Sequence, residues 1–520
     1  MTFLRALVLL AVALFTISAG IAPCLSTEPW PQANGPRGNF STLTSDMKLI
    51  DDLSKARMVW ASEDDDLGFA KGSVSGFFRH LARQEGHPGS CSGPILTDGK
   101  LFVATFRPAG EVWAENQPNV ERYITNDKKP LTEDEVAKLH SNLRIDGDDL
   151  LVAIDAATGK TAWKAVEGGQ GLNRYMGKRQ GYCVSPTYFD GKVFSLGTTG
   201  LLYAYNAKTG ERLWQSDIGQ AYQDALDHKE KCFAEKKLPG GMGWDVSLVV
   251  ADGVLIVPTY VGGADIGLRG VNIETGKTIW EIEKITSRHA TPAPWRHGER
   301  EYLLTATVSG TLNMIEPKTG KVLWNVEGLG ENHFSLTPTR EHVFVNIGST
   351  FPRKEGDSRM YGRLAGYAIS PAGAKRVWEH PNKKEFLLPT WMDSNARRRL
   401  AIADDAVYFM ASGIEKREGR RILKLDESTG EILAETPSPS SAPHFYVVED
   451  RLLVIPDASH GDSITLALFE TDGLKQLADF WKPPHIGTTA YEVYMEHPYH
   501  AGRIYLRTQN GRIRCYDFSK

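Results

Sequence analysis

AIDAATGKTAW (residues 153–163) returns as AYNAKTGERLW (204–214), VNIETGKTIW (271–280) and MIEPKTGKVLW (314–324). A worn copy, AISPAGAKRVW, occupies 368–378, and KLDESTGEIL (424–433) keeps the turn but puts Leu433 where tryptophan would stand. Recurrence at this spacing is the signature of a repeat architecture. Upstream of each phrase the pattern is the same. In 183–217, VSPTYF, VFSLGT, LLYAYN and RLWQSD are short alternating apolar runs separated by Asp190-Gly191, Thr199-Gly200 and Thr209-Gly210. Runs of this kind, punctuated by D-G and T-G, read as antiparallel strands joined by tight turns. Four strands per unit make a propeller blade.

The expected blades are Cys91–Val166, Cys183–Asp217, Asp245–Glu283, His289–Glu327, His333–His380, Arg398–Glu435 and His444–Trp481. An eighth unit, Tyr494–Phe518, has only three strands, and Ala56–Trp60 looks like its missing fourth. The fold class expected is therefore all-β, an eight-bladed propeller closed by an N-terminal strand near residues 56–62. Borrowing that strand leaves the ring without a free end. The repeated tryptophans are expected to lie flat between blades, as architecture rather than as a site.

In a four-stranded blade the turns between first and second strands and between third and fourth strands share one face. Here those turns are short. The long segments are 107–147, 167–182, 218–244, 350–363 and 381–397, and all belong to the opposite face. Two carry helical patterns: Thr132–Asn142, opened by the Thr132/Glu135 capping box, and Ala221–Lys236. Insertions gathered on one face mark the working face of a repeat protein.

Counting seven residues back from each first turn lines up Cys91, Cys183, Asp245, Ala290 with His289 beside it, and His333 around the axis. Arg397, Pro443 with His444 beside it, and Tyr494 continue the ring. His289, His333, His444 and Asp245 suit a hydrogen-bonding rim, a metal site, or simple capping of strand starts. Cys91 and Cys183 would form a disulfide if their Cα atoms approach within about 7 Å, and are otherwise two small buried thiols. Arg174, Arg179 and Tyr182, on the loop into the second blade, are candidates for contacting an anionic ligand.

The 520 residues carry a net charge of −4, with 41% hydrophobic and 24% charged residues. No basic stripe is available to neutralise phosphates, which argues against nucleic acid. Residues 1–26 read as a secretory signal peptide: Arg5, the apolar run Ala6–Ile17, then small residues. Its removal would leave a charge of −5. Residues 27–55 read as an extended segment and 56–520 as one propeller. Export implies an oxidising compartment, periplasmic or extracellular, and Cys24 is a possible lipidation point. No C-x-x-C-H is present to attach a haem, and no nucleophile or carboxylate pair marks a hydrolase.

The tryptophan phrase resembles the repeat of pyrroloquinoline-quinone (PQQ)-type propellers, a superfamily that includes quinoprotein dehydrogenases and assembly lipoproteins of the BamB type. WPQANGPRGN (30–39) is similar to the opening of exported bacterial PQQ-like repeat proteins. The resemblance to the dehydrogenases implies PQQ with calcium as cofactor, Trp244 in GMGWD (241–245) as the floor under the quinone, and Asp245 as the base. Two of their features are missing. There is no adjacent cysteine pair, and Pro258-Thr259-Tyr260-Val261 stands where they have a G-T-G-N turn whose Asn ligates calcium. Hard cations need oxygen ligands, and the Val261 side chain offers none. The expectation is a secreted, monomeric, non-enzymatic scaffold binding a protein or small molecule on its loop-rich face, with Trp244 as a packing residue or the floor of another pocket. The alternative is a PQQ-dependent alcohol or sugar dehydrogenase.

Overall fold

The computed structural model describes residues 30–33, 35–36, 49–68, 89–90, 92–112, 131–173, 182, 184–235, 244, 246–259, 263–333, 335–352, 360–380, 388–389, 400–403, 405–411, 421–438, 444–448, 450–455, 466–478, 481–483, 497–507 and 512–520. They form eight antiparallel sheets in chain order, the blades of a propeller. Blade 2 shows the plan, with strands Thr187–Phe189, Lys192–Leu196, Leu201–Asn206 and Arg212–Asp217 running from the axis outward. Blade 8 consists of Tyr499–His500, Arg503–Arg507, Ile513–Asp517 and, as its outer strand, Arg57–Ala61. The seam thus closes where the sequence placed it.

The repeated phrase locks each blade to the next. The indole Nε1 of Trp163 donates to Ala207 O at 3.1 Å, in the third turn of the following blade. Trp214 donates to Ile273 O, Trp280 to Pro317 O, Trp324 to Ser370 O and Trp378 to Glu427 O. Trp60 continues the series across the seam to Ala156 O. The glycine of the T-G turn lies under the neighbour's indole: a Cβ on Gly210 would stand 2.6 Å from Trp163, and one on Gly430 would stand 2.5 Å from Trp378. A small residue sits opposite the tryptophan in most blades, as in the pairs Ala153–Trp163, Ala204–Trp214, Gly270–Trp280 and Gly366–Trp378, whereas Met314 faces Trp324.

That register corrects the reading of the sixth copy. Ala434, not Leu433, pairs with Lys424 in the tryptophan register, and Leu433 is an outward residue, 53% exposed. Blade 6 has exchanged the sizes of the pair, Lys–Ala for Ala–Trp. The Lys424 ammonium donates to Thr471 O at 3.0 Å in the third turn of blade 7, the carbonyl an indole would otherwise reach.

Three further expectations change. Segments read as loops are continuations of strands: blade 1 pairs Lys100–Val112 with Arg144–Asp155, and the latter with Thr161–Leu172. Blade 5 likewise extends through His342–Pro352 and Met360–Ser370. In blade 1 the arm is held by charge, with Arg107 paired to Asp148 at 2.9 Å and to Asp66 at 3.0 Å. Local polarity made Asp146-Gly147-Asp148 look like loop, and cross-strand pairing overrode it. Blade 5 has no regular inner strand among its described residues, only the bridge Pro338–Val343, and gains Leu388–Pro389 beside its third strand. The outer position of blade 7 is reduced to the bridges Phe469–Gln476 and Leu466–Trp481.

Both expected helices form on the long-loop face. Helix α1 (Glu133–Asn142) carries the Thr132/Glu135 capping box, and helix α2 (Gln220–Glu235) follows blade 2. Lys229 of α2 reaches the blade 1 arm, pairing with Asp146 at 2.6 Å and donating to Gly169 O and Gly171 O. No helix among the described residues is long and apolar enough to cross a membrane.

Candidate functional site at the mouth of the ring

A ladder of hydroxyls encircles part of the axis. The backbone N–H of Ser185 donates to Ser247 Oγ at 3.0 Å, that of Ser247 to Thr291 Oγ1 at 3.1 Å, and that of Thr291 to Ser335 Oγ at 2.9 Å. These buried side chains join the inner segments of blades 2 to 5. Steps of 44 residues separate the last three, a spacing legible in the sequence but unread. The ladder also fixes the alignment one step nearer the mouth. His289 and His333, each two residues before a ladder hydroxyl, are the equivalent positions, rather than Ala290.

The structure brings these two histidines together, with ring centroids 6.4 Å apart and both side chains buried. Their flanking residues complete a cluster that sequence alignment did not pick out. Arg288 Nε donates to His289 Nε2 at 3.0 Å, and His333 Nε2 lies 3.3 Å from Glu331 Oε2. Burial holds the His333 pKa below its usual value, and the Arg288 charge pushes the same way against the raising effect of Glu331. The imidazole is accordingly neutral near pH 7. No group of three or more metal-ligating side chains gathers among the described residues.

Tyr182 and Trp244 also meet, in a parallel bridge between the entries to blades 2 and 3. The Tyr182 hydroxyl donates to Leu196 O, and its ring meets Phe106 edge-on. Trp244 is 6% exposed and packs in the apolar cluster with Ile218, above the Gly200 turn. Cys91, Cys183, Asp245, Arg174 and Arg179 lie outside the described residues, as do Arg397, Pro443 and Tyr494 of the expected ring. His444 falls on the inner strand of blade 7.

Two buried charged groups were missed. Asp149, on the blade 1 arm, is fully enclosed and accepts from Thr198 N (2.9 Å), Thr198 Oγ1 (2.8 Å) and Tyr203 Oη (3.3 Å). Gly171 and Gly197 leave room for it, since a Cβ on either would fall within 2.7 Å of its carboxylate. Burial pushes its pKa up to about 6. Arg507 is wholly buried at the seam, donating to Ser90 Oγ and to the carbonyls of Ser92, Leu67 and Gly68. An Asp and an Arg inside strands carry no sequence mark that separates them from surface charges.

At the opposite end of the ring, Trp30 is inaccessible to solvent. Its carbonyl accepts from Leu96 N at 2.7 Å, Pro31 O accepts from Tyr188 N at 2.9 Å, and its indole stands 5.8 Å from Tyr446. Those partners belong to the inner strands of blades 1, 2 and 7. Gly35, at φ +85°, turns the chain over the indole. Trp30 and Pro31 thus pack against the inner strands of three blades at the end of the ring remote from the long loops.

These features define a propeller of the PQQ-like repeat class. The family profile described as outer membrane protein assembly factor BamB matches residues 89–291, 147–333 and 267–444, and the chain belongs to that family. Among curated proteins it is similar to a quinohemoprotein alcohol dehydrogenase from Comamonas testosteroni, 32% identical over 108 residues, covering 19% of this chain and 14% of that protein. It is also similar to the dehydrogenase subunit of a quinone alcohol dehydrogenase from Acetobacter aceti, 26% identical over 237 residues, covering 44% of this chain and 29% of that protein. The chain therefore spans less than a third of the length of these relatives. Among solved structures, BamB from Moraxella catarrhalis is 14% identical with a TM-score of 0.45, covering 72% of this chain and 92% of that one. The Comamonas enzyme is 14% identical with a TM-score of 0.44, covering 90% and 83%.

A quinone fits these residues poorly. A planar tricyclic cofactor needs an aromatic ring with an open face, and Trp244 is enclosed by its own chain. Val261 stands where the resemblance to the dehydrogenases would require a calcium-ligating Asn.

Proposed function

We propose that this chain is an exported, non-catalytic binding scaffold that engages a protein partner through its loop-rich face. The enclosure of Trp244 within the apolar cluster of blades 2 and 3 carries this reading. Membership of a family described as an outer membrane protein assembly factor agrees with it, as does the gathering of both helices on one face. Residues 1–26 would be removed on export, and the mature chain would act as a monomer. In an oxidising compartment Cys91 and Cys183 are then candidates for a disulfide.

The second reading, a PQQ-dependent oxidoreductase with Trp244 as floor and Asp245 as base, rests on the two quinone-linked dehydrogenases among the relatives. Titration of the purified protein with PQQ and calcium, followed by quinone absorbance and dye-linked alcohol or sugar oxidation, separates the two. The scaffold reading expects no binding into the high micromolar range. Submicromolar binding with turnover would replace it with the enzyme.

A further inference from the structure

Asp149 stands where three parts of the loop-rich face meet. It belongs to the blade 1 arm, and its carboxylate accepts from blade 2, at Thr198 N, Thr198 Oγ1 and Tyr203 Oη. The Thr198 turn makes two more bonds across this junction: Leu172 N donates to Thr198 Oγ1 at 2.7 Å, and Thr199 Oγ1 donates to Gln170 O at 3.0 Å. The far side of the turn, at Gly200, packs against Ile218 and Trp244. Helix α2, which follows blade 2, reaches the arm through Lys229, whose ammonium is shared between Asp146, Gly169 O and Gly171 O. Among the described residues no cation bonds to Asp149. Facing it are Glu167, its cross-strand partner on the arm, whose charge is matched by Arg212, and Tyr203 and Tyr205 of blade 2. Its neighbours on the arm, Asp148 and Arg107, pair with each other. An enclosed carboxylate without a counter-ion is costly to ionise. The bonds around it, by contrast, survive protonation. Oδ1 keeps both Thr198 donors, and Oδ2 can give its proton to the Tyr203 oxygen, 3.3 Å away. The junction tolerates the proton better than the charge.

From this we infer that Asp149 is a proton-operated clamp on the loop-rich face: protonated, it holds the blade 1 arm against blade 2, and ionised, it lets the arm open more often into water. The sign follows from linkage. Burial raises the pKa of the docked carboxylate from 3.8 to about 6, whereas a hydrated carboxylate on the open arm returns to the ordinary value. The clamp is therefore tight below pH 3.8 and is lost as pH rises through about 6. The open population should grow about tenfold between pH 5 and pH 7.5. The clamp requires no partner and no cofactor, so it holds under either reading of the function.

The test is hydrogen exchange by mass spectrometry on the full chain at pH 5 and pH 7.5, with rates corrected for intrinsic exchange at each pH. Peptides covering 144–150, 166–173 and 196–203 should lose about tenfold in protection at the higher pH, while a peptide covering 302–306 in blade 4 changes little. Asp149→Asn keeps the shape without the charge and should hold the wild-type pH 5 protection at both values, with melts confirming that it folds. If that variant does not fold, the wild-type profile decides. Equal protection of the arm at the two pH values would overturn the clamp. An equal loss in blade 4 would also overturn it, since the opening would then be global. A pH dependence that persists in Asp149→Asn would overturn it by assigning the effect to another group.

Discussion

Replacing Gly210 by alanine tests the interlocking of the blades more sharply than removing a tryptophan, because Gly191 supplies a matched control. Both glycines are left-handed, at φ +75° and +74°. A Cβ on Gly191 would meet nothing within 4 Å, whereas one on Gly210 would stand 2.6 Å from two atoms of the Trp163 ring. A Cβ in the left-handed region costs about 1–2 kcal/mol, and that is the whole expected cost of Gly191→Ala. Gly210→Ala adds the displacement of a packed indole, about 1–3 kcal/mol more, and lengthens the 3.1 Å bond from Trp163 Nε1 to Ala207 O. A chain of 520 residues need not unfold in one step, so the measurement is hydrogen exchange by mass spectrometry on peptides spanning 161–166 and 201–214, beside the melting temperature. Gly210→Ala should deprotect both peptides and lower the midpoint further than Gly191→Ala. Equal effects of the two variants would refute the claim that the turn glycine exists for the neighbouring indole.

Trp163→Phe keeps a ring but loses the donor to Ala207 O, and should cost about 0.5–1.5 kcal/mol beyond its change in packing, against about 3–5 kcal/mol for Trp163→Ala, by denaturant titration. Lys424→Ala and Ala434→Trp should each destabilise, the first by removing the bond to Thr471 O and the second by crowding Lys424. The double variant recreates the Ala–Trp pair and should be more stable than the two single losses summed, a coupling read from a double-mutant cycle. Asp149 has its folded pKa raised from 3.8 to about 6 by burial. Its contribution is therefore fully present below pH 3.8 and lost as pH rises through about 6. Asp149→Asn should stabilise the protein above pH 7 by up to about 3 kcal/mol and leave it unchanged near pH 4, as read from melts across that range.

Much of the ring was legible because its signals are local and repeated. The T-G turns, the alternation of apolar residues and the orphan Trp60 strand each follow from short-range chemistry. The reading of Leu433 is off by one residue: Trp163, Trp214, Trp280 and Trp324 each stand four places after their turn glycine, which from Gly430 counts to Ala434. What the sequence does not display is that Lys424, its cross-strand partner, has taken over the contact with the next blade. Blade 1 was misjudged because Asp146-Gly147-Asp148 is polar yet held extended by Arg107 and Lys229, partners far away in sequence. At the site, the histidines were found by alignment on the turns. The polarity of the cluster comes from Arg288 and Glu331, which point at those rings only in three dimensions. Trp30 was noticed as part of a motif, but its position across three inner strands depends on contacts with residues up to 446.

The enclosure of Trp244 is the point on which the functional account turns. Incorporating 5-fluorotryptophan, assigning the Trp244 resonance with Trp244→Phe, and titrating PQQ with calcium while recording fluorine spectra tests it at the residue itself. The account predicts a resonance that stays in place into the high micromolar range. A shift with a submicromolar midpoint would contradict it and return the chain to the quinone enzymes.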